Sequence, residues 1–74
     1  MRVSYKKLWI KLVEKDMYKA DLRKAADIAP STLTKLNKNE FVALSILVKI
    51  CGILKCDIGD IMEVIELEDN EVSE

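Results

Sequence analysis

The chain has 74 residues, half of them apolar and about a third charged, which bounds it to one small domain of soluble type whose modest core relies on tight helix packing or a partner chain. Histidine is absent, and glycine and proline number only two and one; a zinc set, a glycine-rich phosphate loop, a nucleophile elbow and a turn-rich β fold all lack their residues. The net charge of −1 conceals two halves of opposite sign: residues 1–38 carry ten basic against four acidic side chains, residues 39–74 two against nine. What attracts phosphate is a basic face, not a basic average, so the N-terminal half keeps nucleic acid open as a partner.

Met1-Arg2-Val3 precedes Ser4, which is placed to cap a helix. Leu8, Trp9, Leu12 and Val13 then form one broad apolar stripe, predicting helix 1 over about residues 5–15, with Lys6, Lys7 and Lys11 off the stripe. Lys15-Asp16 closes it, and Met17-Tyr18 leads into helix 2 at about 19–26, with Leu22 and Ala25 or Ala26 inward. Asp27-Ile28-Ala29 is the turn, and Ile28 should plug the angle between helices 2 and 3. Pro30 suits the first position of helix 3, at about 30–38, where its missing N–H costs nothing. Leu33 and Leu36 mark that helix's buried face.

Asn39 is the residue beyond helix 3 best suited to positive φ, and Phe41 and Val42 should anchor the loop that follows. Helix 4, at about 43–54, has a wide stripe of Leu44, Leu47, Val48, Cys51 and Leu54 flanked by Ile46, Ile50 and Ile53. That width suits the central helix of the domain, or a helix with one face left for a second chain. Asp57 caps a short helix 5 with Ile58, Ile61 and Met62 inward. Residues 63–68 alternate and become acidic, as a short strand or a fraying tail. The domain is expected to span residues 1–68, with 69–74 an acidic disordered tail. Neither a repeat nor a linker interrupts it.

Cys51 and Cys56 would lie about 140° apart on a continuous helix, although a break at Gly52 or after Leu54 is expected between them. Their expected state is two reduced, semi-buried thiols. No apolar run approaches the ~20 residues of a membrane span and no signal peptide precedes the domain, so a cytoplasmic setting is expected. No cofactor or small-molecule ligand is indicated.

Residues 19–38 read as two short helices joined by a tight turn, the second presenting short polar residues and a lysine opposite its leucines. Apolar residues hold such a helix down while hydrogen-bonding residues point outward, as in a helix-turn-helix. The wording Tyr5-Lys6-Lys7-Leu8-Trp9, Asp21-Leu22-Arg23-Lys24, Ser31-Thr32-Leu33-Thr34-Lys35-Leu36 and Cys56-Asp57-Ile58-Gly59-Asp60-Ile61-Met62 resembles the phage repressor and Cro-like family, the lambda-repressor-like DNA-binding domains, in a compact bacterial subgroup. The match covers about residues 4–63.

The resemblance implies an all-α, five-helix domain with its helix-turn-helix at helices 2 and 3, and short terminal β-strands as a further element. It implies a contact with phosphate or base from Lys19, at the start of helix 2. It implies base readers at Ser31, Thr32, Thr34 and Lys35 with Pro30 at the leading edge, and a backbone-gripping cluster of Asn37, Lys38 and Asn39. Three positions depart from the family's pattern: Tyr18 and Ala29 stand where Ser or Thr usually caps helices 2 and 3, and Asp27 stands where the turn is usually glycine.

Lys35 can donate to guanine O6 and N7, and Ser31 and Thr32 can bond bases or phosphates. Lys19 lies beside the free N–H groups of a helix start, which also favour phosphate. Arg23, Lys24, Lys6, Lys7 and Lys11 read as solvated charge, and Tyr5 and Trp9 as core and rim. The expected function is a sequence-specific transcriptional regulator, a repressor, that reads the major groove of double-stranded DNA with helix 3. Its expected state is a homodimer on a palindromic operator, with residues 64–68, apolar at Val64, Ile65 and Leu67, pairing antiparallel against residues 1–3 and leaving an edge or apolar face for the second chain. The alternative is a protein-interaction or antitoxin-like module that keeps the fold without reading DNA.

Overall fold

A computed structural model describes residues 2–65. The elements run β1 (Arg2–Ser4), α1 (Lys6–Glu14), α2 (Lys19–Ala26), α3 (Pro30–Asn37), α4 (Leu44–Leu54), a 3-10 turn (Ile58–Asp60) and β2 (Glu63–Ile65). Residues 66–68, expected inside the domain, and the acidic segment 69–74 lie outside the described residues. No helix among those described is long and apolar enough to cross a membrane.

Each helix turns one apolar face to a shared centre. Leu8 and Leu12 come from α1, Leu22 and Ala26 from α2, Leu36 from α3, and Leu47, Ile50, Cys51 and Leu54 from α4; Tyr5, Ile28 and Ile61 fill the joints between them. Burying a Leu or Ile side chain contributes roughly 1.5–3 kcal/mol, so this set is the main stabilising term of a small domain. Ile28 is buried between α2 and α3 as its position in the turn requires. The core face of α4 is narrower than its composition suggests. Leu44 and Val48 are 65% and 56% exposed, and so belong to a face that α4 does not use internally.

The terminal strands form a two-stranded antiparallel sheet in which Arg2 pairs with Ile65, Val3 with Val64 and Ser4 with Glu63. β1 and β2 therefore pair within one protomer, with Val3 buried and Val64 exposed. Lys7 ties α1 to the C-terminal segment, donating to the Gly59 carbonyl at 3.3 Å and pairing with the Glu63 carboxylate at 3.6 Å.

Several local expectations need correction. Among the described residues there are four α-helices, not five. The fifth is a single 3-10 turn, because β2 must begin at Glu63 to pair with β1 and the intervening stretch is too short for a longer helix. Asp57 still opens that turn, its N–H donating to the Asp60 carboxylate at 3.0 Å. Ser4 is not the cap of α1, since β1 runs through it and Tyr5 takes the cap position; the Ser4 hydroxyl accepts the Lys6 N–H at 3.3 Å. Phe41 does not anchor its loop but is 70% exposed, leaving that role to half-buried Val42. Leu33, expected buried, is half-buried, while of the two alanines left open in α2 it is Ala26 that faces the core.

All four α-helices end in the same way. Asp16, Asp27, Asn39 and Lys55 have φ of 56°, 54°, 57° and 56°. In each case the next residue's N–H reaches back to close the last turn: Met17 to the Leu12 carbonyl, Ile28 to Arg23, Glu40 to Lys35 and Cys56 to Cys51, at 2.9–3.1 Å. This is the Schellman arrangement, which satisfies carbonyls that a helix end leaves free. Both glycines of the chain lie elsewhere, at positions 52 and 59. Asp and Asn tolerate the left-handed region, whereas Lys55 has no side-chain compensation for it. Lys55→Gly should therefore raise stability by about 0.5–1 kcal/mol, the relief of that strain exceeding the added freedom of the unfolded chain. Urea denaturation of the two proteins checks this, and a lowered midpoint would contradict it.

Candidate nucleic-acid interface

The helix-turn-helix is built from α2, the Asp27 turn and α3. Tyr18 provides no capping oxygen, yet its own N–H donates to the Asp21 carboxylate at 2.9 Å, so half of a capping box holds the start of α2. The αL conformation of Asp27 and the buried side chain of Ile28 then set the chain's direction into α3.

Ala29 occupies the cap of α3 with extended backbone (φ −69°, ψ 151°) and no side-chain bond to the first turn, and Pro30 follows at the first helical position. Ala29→Ser should stabilise the protein by about 0.5–2 kcal/mol, by giving a free N–H of that turn an acceptor. Chemical denaturation measures it; an unchanged midpoint would mean that water serves that N–H as well.

At about 100° per residue, Ser31, Thr34 and Lys35 follow one another along a single stripe of α3 that Lys38 continues at its C-terminal cap, and all four are exposed. On the far side Leu36 is fully buried and Leu33 half-buried, and Thr32 is half-buried at the margin. Pro30 and Asn37 are exposed along one flank of the stripe. The Thr34 hydroxyl donates to the Pro30 carbonyl at 3.1 Å, leaving its methyl group and free lone pairs for an outside partner. Among the described residues no carboxylate lies within ion-pair distance of Lys19, Arg23, Lys24, Lys35 or Lys38. By contrast, Lys7 and Lys11 are paired with Glu63 and Glu14.

Lys19, at the start of α2, meets Asn37, at the end of α3: its ammonium donates to the Asn37 side-chain oxygen at 2.6 Å. The same ammonium sits 4.2 Å from the centre of the Trp9 ring. A three-donor ammonium so held keeps donor capacity for a further acceptor, in a fixed place. The Trp9 contact has no signal in the sequence, since ten residues separate the pair.

Asn39 stands apart from the other expected site residues. Its backbone is left-handed, and its side-chain oxygen accepts the Tyr5 N–H at 3.0 Å. The Tyr5 hydroxyl in turn donates to the Glu40 carbonyl at 2.8 Å. Asn39 and Glu40 thus pin the end of α3 to the start of α1.

A helix held down by leucines, presenting a stripe of hydroxyls and lysines beside a second helix start, is the arrangement of a helix-turn-helix. The chain matches the model of the Cro/C1-type helix-turn-helix DNA-binding domain over residues 7–66, and it belongs to that family. Among solved structures it is similar to the transcriptional regulator VanUg, known from a crystal structure in its form II. The two share 53% identity over 84% of this chain and 83% of that one, with a TM-score of 0.83. No curated protein matches.

Proposed function

We propose that this protein regulates transcription, acting as a repressor that binds operator DNA as a two-fold dimer and inserts α3 into the major groove. The observation that carries this is the exposed stripe of Ser31, Thr34 and Lys35 on α3 of a Cro/C1-type domain, continued by Lys38 at its end, with neither lysine paired to a carboxylate among the described residues. The likeness to VanUg, a transcriptional regulator, supports the same reading.

In this proposal Lys35 donates to a guanine edge, and Ser31, Thr32 and Thr34 meet neighbouring bases or phosphates. Pro30 borders the groove, and Lys19, Asn37 and Lys38 lie along the phosphate backbone. Asn39 acts mainly by holding the end of α3, with at most its amide nitrogen left for phosphate. The dimer draws on apolar surface that one protomer leaves uncovered: Leu44 and Val48 of α4, Phe41, and Val64 of β2. Bound over a promoter, such a dimer excludes polymerase.

Selection from a pool of random duplexes tests the proposal. The expected result is an enriched inverted repeat whose half-sites are about one helical turn, ~34 Å, apart. Enrichment of a single half-site would remove the dimer from the proposal, and failure to enrich any sequence would favour the protein-interaction alternative.

A further inference from the structure

The end of α4 carries a feature that DNA recognition does not use. On a helical wheel Cys51 and Cys56 point apart, but Lys55 reverses the chain between them. The Cys56 N–H donates to the Cys51 carbonyl at 3.1 Å, so the two cysteines occupy the two ends of the Schellman closure. Side chains at those two positions are the ones that meet across such a helix end. A backbone bond of this length also holds the two α-carbons inside the span a disulfide crosses, roughly 4.4–6.8 Å. Both thiols are free.

They line an open groove of about 690 Å³ together with Val48, Gly52, Lys55, Ile58 and the carboxylates of Asp57 and Asp60. Cys56 is partly exposed at its rim, whereas Cys51 is buried behind it. We propose that Cys51 and Cys56 are a thiol-oxidation site, a vicinal pair across the α4 terminus that a hydroperoxide converts to an intramolecular disulfide.

The more accessible Cys56 reacts first. Its sulfur attacks the O–O bond of the peroxide, giving a sulfenic acid and one water or alcohol. The Cys51 sulfur then attacks that sulfenic sulfur, the S–S bond forms and a second water leaves. Two thiols have lost two electrons and two protons to the peroxide, whose oxygens end as water or alcohol. The order follows from access, and burial, followed by the neighbouring Cys56, holds the Cys51 thiol above its ordinary range. In a reducing compartment such a bond forms only under oxidant and is reversed by thiol reductants. Once formed, it fixes Lys55 in its left-handed conformation and closes the wall of the groove beside Val48.

Treatment of the full-length protein with hydrogen peroxide, followed by intact mass and peptide mapping under non-reducing conditions, tests this. The expected product is a single chain lighter by two hydrogens, with a Cys51–Cys56 linkage that dithiothreitol removes. Cys51→Ser should leave Cys56 as a sulfenic acid trapped by dimedone, while Cys56→Ser should leave Cys51 largely unmodified at the same dose. Disulfide-linked pairs of chains as the main product, or independent oxidation of both cysteines to sulfinic acids with no linkage, would overturn the proposal. Circular dichroism of each variant before oxidation confirms that the fold under test is intact.

Discussion

An Asn39→Ala protein should be less stable than the parent by about 2–4 kcal/mol, a large loss for an exposed residue. Two costs add. Alanine must adopt a φ of 57°, which costs an L-residue about 1–2 kcal/mol. The Tyr5 N–H, now donating to the Asn39 oxygen at 3.0 Å, loses an acceptor in a partly buried place, a further 1–2 kcal/mol or so. Asn39→Gly separates the terms: it accepts the backbone angle, and so should recover about half of the loss. Asn39→Asp keeps both the acceptor and the tolerance of positive φ, and should stay within about 0.5 kcal/mol of the parent. Its added negative charge would nevertheless weaken DNA binding if this turn lies along phosphates. Denaturation midpoints for the three variants, set beside their affinities for a selected operator, distinguish a residue that positions α3 from one that also touches DNA. Equal stability of Asn39→Ala and the parent would remove the structural role.

Much of this architecture is legible in the chain because apolar spacing fixes helices, and the helix-turn-helix is marked twice, by pattern and by Pro30. The positions of α1 to α4 follow from Leu8 and Leu12, Leu22, Leu36, and Leu47 with Ile50 and Leu54. What the chain hides is decided by contacts distant in sequence. Ser4 looks like a cap until β2 claims it for a sheet, and the same pairing cuts the predicted fifth helix to one 3-10 turn. Asn39 and Asp27 announce their left-handed turns by residue type, but Lys55 does not: a break after Leu54 can be expected from the chain, the reversal that brings the two cysteines together cannot. On α4 the apolar residues form so wide a band that composition cannot say which of them face inward. Leu44 and Val48 prove to be outside. At the candidate site the stripe of α3 is readable from spacing alone. The seat of Lys19 between Asn37 and Trp9 is not, because it depends on three separate helices.

That seat shapes the second large effect, a division of labour between two lysines. Lys35 stands on the exposed stripe of α3 and Lys19 at the start of α2, neither with a carboxylate partner among the described residues. Lys35→Ala should erase discrimination at one base pair of the operator, costing about 1–3 kcal/mol there and little on random DNA. Lys19→Ala should weaken every duplex alike and reduce the salt dependence of binding by about one phosphate contact. Asn37→Ala provides the control that the geometry makes possible. It leaves the Lys19 charge in place but removes the oxygen that holds it at 2.6 Å. The salt slope should then remain that of the parent, while affinity falls by less than in Lys19→Ala because only preorganisation is lost. Binding titrations of the four proteins across a range of salt, on the selected operator and on its single-base variants, measure all of these quantities. If Lys35→Ala and Lys19→Ala weakened specific and random DNA equally, with the same change in slope, both lysines would be phosphate contacts and the reading of bases would fall to Ser31, Thr32 and Thr34.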